Sequence, residues 1–141
     1  MPTKQKTTQK LSTPKKILIV GGGGRENALA WAVLRSNGIE EVFVAPGNAG
    51  TEEHKGCKRL DISEDDQDGL LQASMDLDID LILIGPEAPL ASGLADFLRK
   101  KDLNVFGPGA DGAQLEASKS WAKNLMEEGA VPTAKHWIAT S

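Results

Sequence analysis

A glycine run closes one short apolar stretch and opens an amphipathic one, and this limits the chain to few folds. Lys16-Ile17-Leu18-Ile19-Val20 is followed by Gly21-Gly22-Gly23-Gly24-Arg25-Glu26-Asn27 and then by Ala28 to Leu34. Four aliphatic residues in succession predict a strand buried on both faces, as in parallel sheets. Glycines directly after such a strand let the backbone turn sharply and let a ligand come close to the peptide groups. The free N–H groups at the start of the next helix favour a phosphate or another anion.

The run does not match a dinucleotide fingerprint. G-x-G-x-x-G/A requires a small third residue, and an acid about 20 positions later to hold the ribose. Counting from Gly21 the third position is Glu26, and from Gly22 it is Asn27. The following strand, Glu41 to Val44, runs into Ala45-Pro46-Gly47 with no carboxylate at its tip. An NAD site is therefore a minor alternative, and a plain strand-to-helix turn is another.

Downstream, strands alternate with helices. The first helix ends near Asn37-Gly38, and a minor strand is expected around Lys58 to Leu60. A helix from about Glu64 to Met75 places Leu70, Leu71 and Met75 on one face, with acids at its start where the helix dipole favours them. Asp80 to Ile84 is the clearest strand. A helix over Ala91 to Lys101 and a short strand, Asn104 to Phe106, follow. This alternation predicts an α/β fold, a Rossmann-like open parallel sheet with helices on both faces.

Other classes are disfavoured. The net charge of −4 lacks the clustered Lys and Arg that nucleic acid demands. No apolar run approaches the roughly 18 residues of a membrane span. The single cysteine, Cys57, fits a reducing cytoplasm and reads as a small half-buried side chain; neither His54 nor His136 gives it a catalytic context. Residues 1–15 are expected to be a disordered tail, because Thr, Gln and Lys cannot offset chain entropy by burial.

Ligands of open parallel sheets bind beyond the carboxyl ends of the strands. Four Gly- or Pro-rich loops lie there: Gly21 to Glu26, Ala45 to Thr51, Gly85 to Leu90 and Gly107 to Asp111. Any one of them is explained by turn chemistry, but four at one edge predict a cleft. Asn48, Gly50 and Thr51 offer uncharged hydrogen-bonding groups to a sugar or phosphate. Glu87, between Pro86 and Pro89, is expected on a stiff loop where its two oxygens suit a pair of ribose hydroxyls, although it reads equally as a surface acid. Arg25 can clamp a phosphate, or pair with Glu26 or another neighbouring acid.

These motifs resemble one family. Gly23-Gly24-Arg25-Glu26, the segments Ala45 to Thr51 and Gly85 to Leu90, Phe106-Gly107-Pro108 and Gln114 to Lys119 occur in the order and spacing of glycinamide ribonucleotide synthetase, the phosphoribosylamine–glycine ligase of purine biosynthesis. The resemblance runs from Lys16 to the end. It implies that residues 16–117 form the amino-terminal domain and that 118–141 begin the connection to an absent ATP-grasp domain. It further implies a full-length enzyme using ATP and magnesium to join glycine to 5-phosphoribosylamine, with ADP and phosphate as by-products. The substrate-binding set so implied is Gly23, Gly24, Arg25, Glu26, Asn48, Gly50, Thr51, Glu87 and Pro89. Lys119 resembles the lysine that reaches the nucleotide, and reads otherwise as a solvated helix residue. This chain alone is expected to be a monomer, without turnover, and to bind neither ATP nor magnesium by itself. A freestanding Rossmann-type nucleotide-binding or docking module is the alternative. Two departures stand out: Asn27 where the family usually has His, and Ala117 where it usually has Gly.

Overall fold

The computed structural model describes residues 13–137 and 139. Five strands form one parallel sheet: β1 (Lys16–Gly21), β2 (Glu41–Pro46), β3 (Cys57–Arg59), β4 (Leu81–Ile84) and β5 (Val105–Phe106), in the order β3-β2-β1-β4-β5. The order reverses at β1. Its neighbours are β2 on one side, with Ile17 opposite Val42, and β4 on the other, with Ile17 opposite Leu81. The tips of β1 and β4 therefore flank the switch point, where a crevice opens in folds of this kind.

Period-2 alternation along the central strands divides the core in two. Ile17, Ile19, Val42 and Val44 face α1 (Gly24–Leu34), which contributes Ala30, Leu29 and Val33. Leu18, Val20, Phe43, Ile82 and Ile84 face the other way, toward Leu70 of α2 (Gln67–Asp76), Leu90 of α3 (Glu87–Ala91), Leu94 and Leu98 of α4 (Leu94–Arg99) and Ala113 of α5 (Ala110–Ala117). Helices thus cover both faces, as the sequence predicts. A last helix, α6 (Lys119–Glu128), packs against α5 within the segment expected to begin a connection.

The expected tail lies outside the described residues as far as position 12. Lys15 is already tied to the sheet: its N–H reaches Asp80 Oδ2 at 2.8 Å, and its carbonyl accepts from Glu40 and Glu41.

Three expectations need correction. Met75 is 61% exposed; the face of α2 that turns inward carries Leu70 and Ser74, four residues apart, and the Ser74 hydroxyl is satisfied by the Leu70 carbonyl at 2.7 Å. Residues 91–101 do not form one helix. The chain breaks at Gly93, whose φ of 91° is left-handed, and separates α3 from α4. Glu87 is not on a stiff loop but is the first residue of α3, with the extended Pro86 as its N-cap. Pro89 fits because the first turn of a helix needs no N–H from it.

Candidate functional site

The four glycines at the end of β1 differ in what the fold asks of them. Gly21 has φ +124°, and a Cβ there would lie 2.7 Å from Glu26 Cγ and 2.8 Å from the Pro86 ring. At Gly22 a Cβ would press on the Gly47 carbonyl oxygen at 2.9 Å. Gly23 is the N-cap of α1, in extended conformation. Gly24 differs from all three: its φ is not left-handed, and a Cβ there would meet nothing within 4 Å. Neither turn geometry nor packing within the fold calls for glycine at position 24. The N–H groups of Gly24, Arg25 and Glu26 also have no backbone acceptor among the described residues, so the start of α1 presents open donors.

Glu26 lies under this loop and is 3% exposed. Its Oε2 accepts from the Gly23 N–H at 2.8 Å, half of a capping box, since glycine has no side chain to reciprocate. Its Oε1 accepts from Arg25 Nε, also at 2.8 Å. Arg25 is half-exposed and extends a guanidinium nitrogen to within 3.7 Å of Glu87 Oε2, across the switch point from β1 to β4. Glu26 and Glu87 hold this guanidinium protonated even more firmly than an ordinary arginine.

The loop after β2 is clipped onto the glycine run. Asn48 Nδ2 donates to the carbonyls of Gly22 at 3.0 Å and Gly23 at 3.2 Å, while Asn48 Oδ1 accepts from the Gly50 N–H at 2.9 Å. Thr51 is fully buried, and its hydroxyl accepts from the Asn48 N–H at 3.0 Å. The structure therefore brings together Gly23, Gly24, Arg25, Glu26, Asn48, Gly50, Thr51 and Glu87 from three loops. Arg25, Glu87, Gly23 and Gly24 are exposed at this edge. Glu26 and Thr51 lie beneath it, and Pro89 is buried within α3.

The fourth loop turns elsewhere. Asp96 of α4 caps it through the Ala110 N–H at 2.8 Å, Arg99 holds the Val105 and Gly107 carbonyls, and Gly107 packs on Leu90. Lys119 is exposed on the first turn of α6, with no ion pair to the other candidates among the described residues.

Sequence reasoning missed two features. Glu64, on the way to α2, lies near enough to Glu26 and Glu87 for their charges to act on it; its carboxyl is pushed above the usual range by burial first, then by Asp65, Glu26 and Glu87. Asn27 Oδ1 lies 3.0 Å from His54 Nε2, joining α1 to the turn after Thr51. The sequence marks Asn27 only as a departure from the family; neither contact has a sequence signal, because both depend on which loops the sheet order makes neighbours. The Cys57 thiol is half-buried on β3 and pushed up by burial, in keeping with a packing role. Among the described residues no helix is long and apolar enough to cross a membrane, and no group of three or more His, Cys, Asp or Glu residues is placed to hold a metal ion.

The chain is similar to known proteins over almost all of this domain. It is 49% identical over 125 residues to a phosphoribosylamine–glycine ligase of Nostoc and 45% identical over 121 residues to that of Escherichia coli, covering 89% and 86% of this chain. It spans only 29% and 28% of those relatives' lengths. Among solved structures, glycinamide-RNase-transformylase T from Mycobacterium tuberculosis superimposes with a TM-score of 0.61 at 18% identity, covering 90% of this chain and 36% of that one. The biotin carboxylase domain of a Hydrogenobacter thermophilus 2-oxoglutarate carboxylase, solved with MgADP, gives a TM-score of 0.60 at 17% identity over 87% of this chain and 29% of that one. These two likenesses concern the fold. Residues 15–116 match the model of the phosphoribosylglycinamide synthetase N domain, and the chain belongs to that family.

Proposed function

We propose that this chain is the sugar-phosphate-binding part of an ATP-dependent ligase that joins glycine to 5-phosphoribosylamine, yielding glycinamide ribonucleotide, ADP and phosphate. The observation that carries the site assignment is Gly24. It is a glycine without a structural reason, at the mouth of a helix whose first N–H groups are open, and a phosphate or ribose needs that unobstructed backbone approach. Arg25 supplies positive charge beside it, and Glu87 faces the same crevice with acceptor oxygens for ribose hydroxyls. Asn48 and Thr51 act indirectly by fixing the second loop against the first.

The chemistry of such a ligase divides along the same line. Glycine's carboxylate becomes an electrophile only as an acyl phosphate, and the amine must be held in place to attack it. The open N–H groups, Arg25 and Glu87 support a seat for the sugar phosphate in this domain. The relatives extend well past the part matched here, and ATP and magnesium are assigned to that part, with Lys119 on α6 as this chain's contribution toward the nucleotide.

The test is calorimetric titration of ribose 5-phosphate and of NAD into the chain. Ribose 5-phosphate is expected to bind and NAD not. Glu87→Gln is expected to weaken the sugar phosphate roughly tenfold or more, the loss of about 1.5–3 kcal/mol for a charge-assisted bond. A folded chain that ignores ribose 5-phosphate, or an unchanged Kd for Glu87→Gln, refutes the assignment.

A further inference from the structure

One polar pair beside the crevice plays no part in the contacts assigned above. Asn27 follows Glu26 on α1 and is half-buried. Its carboxamide stands between α1 and the loop after β2, so that a Cβ on Gly50 would lie 3.1 Å from Asn27 Nδ2. Its other end, Oδ1, is 3.0 Å from His54 Nε2. An amide oxygen only accepts, so with Oδ1 on this side the imidazole donates from Nε2. Nδ2 is then directed at the Gly50 side, where it has no acceptor among the described residues. It is not a buried orphan either, since no buried side-chain nitrogen or oxygen there lacks a partner. An oriented donor is thus open to solvent, between the glycine run and the Asn48–Thr51 loop.

A latch between α1 and the turn carrying His54 needs only Oδ1. A ligand contact needs Nδ2. We propose that Asn27 is a further substrate-contacting residue, whose Nδ2 donates to a phosphate or hydroxyl oxygen of the sugar phosphate, and that His54 is its positioning residue. The proposal rests on the sugar-phosphate reading of this crevice. It gives the site a neutral donor, opposite in hydrogen-bonding sense to the acceptor Glu87. His54 contributes without touching the ligand, by stopping the amide from turning its oxygen toward it.

Asn27→Asp separates the two roles. It keeps an acceptor for His54 and nearly the same volume, but replaces the donor with an anionic oxygen. Calorimetric titration with ribose 5-phosphate is expected to show at least a tenfold weaker Kd for Asn27→Asp, with a melting temperature close to wild type. His54→Ala is expected to weaken binding severalfold, and His54→Gln, whose amide N–H lies near the place of Nε2, to restore most of it. If Asn27→Asp fails to fold, the two His54 variants decide alone: binding unchanged in His54→Ala overturns the proposal, and loss with recovery in His54→Gln supports it. A wild-type chain that binds while Asn27→Asp binds equally well overturns this inference only and leaves Asn27 as a latch. A folded wild-type chain that does not bind ribose 5-phosphate overturns the sugar-phosphate reading, and this inference with it.

Discussion

Glu26→Gln tests whether the acid of the glycine loop is a structural strut or a direct ligand contact. The side chain is 3% exposed and each oxygen has one donor at 2.8 Å, the Gly23 N–H and Arg25 Nε. Glutamine keeps the shape but turns one oxygen into an N–H group, so one of the two donors must face another donor. If Gly23 loses its acceptor, the cost is that of a charge-assisted bond, about 1.5–3 kcal/mol. If Arg25 loses it, the guanidinium is half-exposed and can turn to water, which limits the cost to about 1 kcal/mol. The cheaper arrangement is preferred, but the Gly23 bond also weakens once the carboxylate charge is gone. A net loss of about 1.5–2 kcal/mol follows, or roughly 5–10 °C in Tm for a domain of this size. The assay is a thermal melt followed by circular dichroism without ligand, paired with a ribose 5-phosphate titration at low temperature. Unchanged Tm together with lost binding refutes the reasoning and makes Glu26 a ligand group that the unliganded structure happens to cover.

Two further outcomes are expected. Gly24→Ala should leave Tm equal to or slightly above wild type, because alanine is favoured over glycine by about 0.5–1 kcal/mol where the backbone is already helical, yet it should weaken ribose 5-phosphate by narrowing the backbone's approach; a fall in Tm with binding intact refutes this. The backbone N–H groups of Lys16 and Lys15 hold the Asp80 carboxyl below its ordinary value, so its contribution is present above about pH 4 and is lost as pH falls through the depressed native value; the Tm difference between wild type and Asp80→Asn at pH 7 should therefore close in acid, and a difference that persists undiminished contradicts it.

Much of the fold was legible because its signals are local. Ile17 to Val20 and Leu81 to Ile84 are apolar runs too short for helices, and each is followed by Gly, so their place as parallel strands follows from pattern alone. Three of the four loops expected at one edge do meet there, because each parallel strand delivers its following loop to that edge, while the fourth is drawn to α4. The failures came where neighbours decide. Leu70 and Met75 do not share a helical face, and the position inward of Leu70 went to a serine able to bond its own backbone. Pro89 suggested a loop, but it sits in a first turn where proline costs nothing. Whether Glu26 points up to a ligand or down into the fold depends on space left by Gly85, far along the chain in a loop that only the sheet order places alongside.

That space has a consequence for how the sequence can change. A Cβ at Gly21, Gly23 or Gly85 would come within 2.7, 2.9 or 2.1 Å of Glu26, respectively. One side chain thus forbids side chains at three other positions, in two separate loops. Glu26 couples these positions: a change at Gly23 or Gly85 requires Glu26 to move or shorten, a change at Gly21 also meets its own left-handed φ and the Pro86 ring, and a shortened residue 26 strips Arg25 of the partner that aims it. Single changes at these three glycines are therefore opposed while Glu26 is in place. Gly24 is bound by no such constraint from within, and on the proposed reading only a bound sugar phosphate opposes a side chain there.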